Sequence, residues 1–169
     1  MTTAEVLLQD YDIELASTRR TLERVPDSKD KSEYKPHDKS FTFGRLAVHV
    51  SELPKFGTTI LTTPLLDMAA TKWPERIFVS REKLLSDFDA FAAEARAALI
   101  GASDADLAQS WQLRFGEKVI VDNPRSLAFR HMFFNHMIHH RAQLGVYLRL
   151  NDIPVPGVYG PSADEPFKP

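Results

Sequence analysis

The stretch Arg130–Leu144, RHMFFNHMIHHRAQL, decides how this chain is read. It carries His131, His136, His139 and His140, out of six histidines in 169 residues. A helix turns about 100° per residue. On that wheel Phe129, Phe133, Met137, Leu144, Tyr147 and Leu148 fall within roughly 60° of one direction, a stripe that faces a core. His136 and His140 lie in the stripe, whereas His131 and His139 point away from it. Two inward imidazoles at i and i+4 stand one turn apart and can meet a single metal ion.

Such a pair needs a third partner, and His49 is the best placed. A helix is expected from about Ser40–Thr42 to Thr62, with Phe43, Leu46, Val50, Leu53, Phe56 and Ile60 on its apolar side. His49 shares the face of Leu46, Leu53, Phe56 and Ile60. Pro54 predicts a kink or restart within this helix, and Pro64 ends it. Helical bundles build metal sites between facing helices in this way. Spacing alone leaves two readings equally open. The three inward histidines hold a metal, or they are hydrogen-bonded core residues, since an unsatisfied buried imidazole is costly. His37 falls in a polar loop and reads as a solvated surface residue.

The remaining segments complete an all-α architecture. Thr3 to Val25 has near-helical apolar spacing and stops at Pro26. Residues 27–40 form a long polar loop. Ser80 caps a third helix that Gly101 closes, and Asp104 to Ser110 adds a short helical turn. Trp111 to Asp122 reads as two short strands around Gly116-Glu117-Lys118. Asn123-Pro124 restarts a helix to Leu150, with Pro124 near its first position. A Pro- and Gly-containing tail follows. Four long helices and one small β-hairpin predict a four-helix bundle, with the 27–40 and 63–79 connections leaving its order open.

Composition bounds the chemistry. With 21 basic and 23 acidic residues the net charge is −2, which argues against a nucleic-acid partner. The length suits one domain spanning residues 1–169. There is no cysteine, so thiolate zinc clusters, disulfides and a cysteine nucleophile are excluded. The first twenty residues do not resemble a signal peptide, and no apolar run approaches the roughly 20 residues that span a bilayer. No membrane partner is expected, and the cytoplasm is the default location.

The run NHMIHHRAQLGVYLRLNDIPVPGVYGPSADE, Asn135 to Glu165, closely resembles the C-terminal part of the DinB family, within the wider DinB/YfiT-like group of proposed metalloenzymes. The matching features are His136, His140, Arg141, Gln143, Leu148-Arg149, Pro154 and Tyr159 to Glu165. Ala142 stands where the family usually has Gly. The phrase RLAVHVSEL places His49 at the family's second-helix histidine. The resemblance implies an up-down-down-up four-helix bundle, and a divalent metal such as nickel or zinc on His49, His136 and His140. It also implies a homodimer.

Three histidines leave coordination positions for water or a small-molecule substrate, the layout of a catalytic site. Imidazole ligands suit several ions, so the residues do not choose among them. Related members of the superfamily are thiol-dependent transferases, and others act in hydrolysis or isomerisation. With no cysteine of its own, this chain would take a low-molecular-weight thiol as a cofactor. The competing readings are a non-catalytic metal- or small-molecule-binding protein of a stress response, and a structural dimer whose histidines only pack. Glu52 and Gln143 flank the ligand face and are candidates to orient the imidazoles. Arg141 and Arg149 are expected to point outward and to anchor the tail through Asp164 or Glu165. Trp73 and Trp111 are candidates for a pocket mouth, with packing as the plainer role.

Overall fold

The computed structural model describes residues 1–167. Helix α1, Thr3–Leu22, begins at a capping box in which Thr2 and Glu5 each satisfy the other's backbone N–H. It ends three residues short of Val25. The polar segment after it contains one helical turn, α2, Lys29–Ser32. Helix α3 runs Phe43–Thr62 from a Thr42 cap that accepts from the Arg45 N–H. Pro54 lies inside it and does not divide it into two elements. Tertiary packing of the apolar face outweighs a local cost of about 3 kcal/mol.

The 63–79 connection is not wholly irregular, because Leu65–Asp67 forms strand β1. Helix α4, Arg81–Ile100, starts at Ser80 as expected, and α5 spans Asp104–Ala108. Gly101 follows α4 with φ −78°, so no left-handed cap is used there. Strands β2, Ser110–Phe115, and β3, Lys118–Pro124, pair antiparallel around Gly116, whose φ is +59°. Strand β1 adds to β2 in parallel, with Leu65 opposite Gln112, so the sheet has three strands rather than the expected two. A three-residue strand is too short to show a period of two in sequence.

The segment read as one helix from Pro124 to Leu150 has three parts. Helix α6 covers Arg125–Ala128, a π-helical stretch covers Phe129–Asn135, and α7 covers His136–Leu150. Pro124 sits at the cap, one residue before the expected start. Its extended backbone also closes β3, and neither role needs a proline N–H. Helices α1 and α3 each pack against both α4 and α7. The core between them contains Tyr11, Phe43, Leu46, Phe88, Phe129, Phe133 and Met137, all buried. Trp111 is buried as well, its ring 5.8 Å from that of Phe56, which makes it a packing residue rather than a pocket rim. Trp73 remains exposed. Among the described residues, no helix is long and apolar enough to cross a membrane.

Candidate metal centre

Helices α3 and α7 bring His49, His136 and His140 together. One ligand nitrogen from each lies within 4.8 Å of the other two. The Nε2 atoms of His49 and His136 are 3.2 Å apart, and the rings of His49 and His140 are 4.5 Å apart between centroids. His131 and His139 are exposed on the far side of the same helix, and His37 is exposed on its loop. The helical wheels therefore sorted the five helical histidines as expected, although the three inward imidazoles are half-buried rather than enclosed.

Two contacts fix the orientation of the α7 pair. His140 Nδ1–H donates to Gln143 Oε1 at 2.7 Å, one turn further along. His136 Nδ1–H donates to the Met132 carbonyl at 3.3 Å. The π-helical stretch makes the second contact possible. The backbone N–H of His136 turns to Phe133 O, and Met132 O, its partner in a regular α-helix, accepts the imidazole proton instead. With Nδ1 protonated on both residues, both Nε2 lone pairs are free to ligate.

The electrostatics point the same way. Burial pushes His49 down to about 3, reinforced by His140, Arg76, His136 and Arg45. Burial also lowers His136 and His140. All three are neutral near pH 7, the form that binds metals. The donor set fits a divalent ion. Two nitrogens on one tetrahedral ion at about 2.0–2.1 Å lie about 3.3 Å apart, close to the His49–His136 spacing. A hydrogen bond between those two rings would account for one pair but leaves Nε2 of His140 without a role.

The other candidates divide. Gln143 orients a ligand, as expected. Glu52 does not; its carboxylate accepts from Arg76 Nε at 2.6 Å. Arg149 pairs with Asp164, as expected. Arg141 does not point outward. It is 4% exposed and its guanidinium lies 2.7 Å from the Glu14 carboxylate, with further bonds to Thr18 and Tyr159. Glu165 is held instead by Arg20 and Arg24. The sequence reading missed Arg76 and the Met132 carbonyl. The first comes from a connection without periodicity, and the second is a backbone group exposed only by the π turn.

The class of molecule is thus a helical protein with a three-histidine cluster between two helices. The chain belongs to the DinB family, whose pattern matches residues 1–167. It is similar in fold to a DinB-like protein from Bacillus cereus ATCC 10987, with a TM-score of 0.68 and 24% identity over 92% of this chain and 97% of that one. It is also similar to the DinB-like protein YjoA of Bacillus subtilis, with a TM-score of 0.62 and 20% identity over 85% of this chain and 92% of that one. No curated protein matches it in sequence.

Proposed function

We propose that His49, His136 and His140 bind a divalent ion, nickel or zinc, and that the protein is a metal-dependent enzyme acting on a small molecule. The observation that carries this reading is the convergence of three neutral imidazoles, two with Nδ1 held so that Nε2 is free. An ion held there would bring the pKa of a bound water or thiol toward neutrality. The protein's own part is to fix the tautomers, through Gln143 and Met132, and to keep the ligands unprotonated. A thiol-dependent transferase or a hydrolase fits this arrangement. If the nucleophile is a thiol, it enters with a small-molecule cofactor, because the chain has no cysteine.

An up-down-down-up bundle, a homodimer and a cytoplasmic location belong to the same proposal. The pairing of α1 and α3 with both α4 and α7 supports the first. The test is metal analysis of the purified protein, followed by addition of metal to a stripped sample. One equivalent per chain in the native protein, lost in H136A and H140A, is the expected result. Absence of metal, with no stabilisation on adding it, would overturn the reading. A panel of thiols with electrophilic acceptors, and of simple esters and amides, then separates a catalyst from a binding protein.

A further inference from the structure

Beside the histidine cluster lies an open groove of about 410 Å³. Lys39, Phe41, Leu46, His140, Val146 and Tyr147 line it. Its walls are mostly apolar and aromatic, Ser40 and Gln143 add polar atoms, and His140 joins it to the histidine cluster. Tyr147 is held in place by donating to the Phe41 carbonyl at 3.0 Å, so two walls are tied together. A space of this size takes a small organic molecule rather than a lone ion.

Among the described residues that line the groove, Lys39 alone carries a formal charge. Lys39 lines it and forms no ion pair among the described residues. Arg45 also has no ion pair among the described residues; its guanidinium stacks on the Phe41 ring at 4.1 Å. After burial, His140, Arg76, His136 and Arg45 each push the pKa of His49 further down. Glu52, the carboxylate closest in sequence to His49, is engaged with Arg76. Asp38, beside Lys39 in the chain, is exposed and does not line the groove. A groove whose lining carries Lys39 and no carboxylate, beside neutral imidazoles, favours an anion.

We infer that this groove binds a small carboxylate with an apolar or aromatic body. The body lies between Phe41, Leu46, Val146 and Tyr147, and the carboxylate lies toward Lys39 and the imidazoles. The inference builds on the metal-site proposal, since a dication on neutral ligands would strengthen the same preference, but Lys39 and the groove walls act without it.

The test uses calorimetric titration of the purified protein with 3-phenylpropionate, 3-phenylpropanol, 3-phenylpropylamine and acetate. The acid is expected to bind at least tenfold more tightly than the alcohol, with no binding of the amine. Acetate, which has the charge but no body, should bind at least tenfold more weakly than the phenyl acid. Lys39→Gln should weaken the acid several-fold and leave the alcohol unchanged. Val146→Glu, at an exposed position, should abolish binding of the acid while metal content stays the same. Equal binding of acid and alcohol, tight binding of acetate alone, no binding of the acid, or indifference to both variants would each overturn the inference. Metal content read in parallel keeps its failure separate from that of the metal site. A metal-free protein that still prefers the acid refutes the site and upholds the groove.

Discussion

Gln143 Oε1 accepts the Nδ1–H of His140 at 2.7 Å, across one turn of α7. This contact selects the tautomer whose Nε2 faces His49 and His136. Loss of a hydrogen bond that orients a ligating histidine typically costs 10–100-fold in metal affinity. Gln143→Leu is expected to weaken metal binding by about that factor. The side chain is exposed, so the thermal midpoint of the metal-free protein should not move. Competition against a chelator measures the first effect, and calorimetry the second. Unchanged affinity would mean that packing alone sets the ring.

The histidine cluster also predicts how stability depends on pH. His49 is held down to about 3 by burial, whereas an unfolded histidine titrates near 6.5. As pH falls below about 6.5 the unfolded chain takes up a proton that the folded chain refuses. Metal-free protein should therefore lose stability progressively from about pH 6.5 down toward 3, with His136 and His140 adding in the same direction. Urea midpoints at pH 7, 6 and 5 read the slope. His49→Gln should flatten it, and an unchanged slope in that variant would place its origin elsewhere.

The legible part of this chain was the part with a period. The helical wheel identified the buried stripe of Phe129, Phe133, Met137 and Leu148, and the inward histidines with it, because one face of a packed helix must be apolar. It held although the helix passes through a π stretch. What could not be read were contacts set by partners far along the chain. Arg141 looks like a surface cation because nothing near it in sequence is acidic; its partner Glu14 is on α1. Glu52 looked available to a histidine because Arg76, its partner, comes from an irregular connection. Strand β1 depends on β2 for its existence, and its three residues carry no signal of their own.

The buried pair that sequence missed makes its own prediction. Arg141 and Glu14 have side chains only 4% and 12% exposed, and Tyr159 from the tail donates to Glu14 at 2.8 Å and accepts from Arg141 at 2.6 Å. Removing one partner leaves a buried charge without compensation, which typically costs 3–5 kcal/mol. Arg141→Ala is expected to destabilise by about that amount in urea unfolding. Tyr159→Phe removes only hydrogen bonds and should cost roughly 1–3 kcal/mol. A near-neutral Arg141→Ala would show that Glu14 finds water or another partner.

Gly57 on α3 is where that helix meets the π stretch. A Cβ built there would lie 2.9 Å from Phe133 Cδ1 and 3.2 Å from Phe129 Cε2, both rings fully buried. Neither ring has room to retreat, so alanine must push α3 away from the last helix. Overpacking of this kind costs about 1–3 kcal/mol, against a gain of up to about 1 kcal/mol in helix propensity. Phe133 lies three residues before His136, and Gly57 lies eight after His49. The displacement should therefore reach the two ligands, and Gly57→Ala is expected to lower both the thermal midpoint and metal affinity. Gly145→Ala on α7 is the control. Its Cβ would meet Val155 at 3.7 Å, an ordinary contact, so the propensity gain should leave stability unchanged or slightly higher. Equal behaviour of the two variants would show that the close approach of α3 to the π stretch does not set the spacing of the histidines.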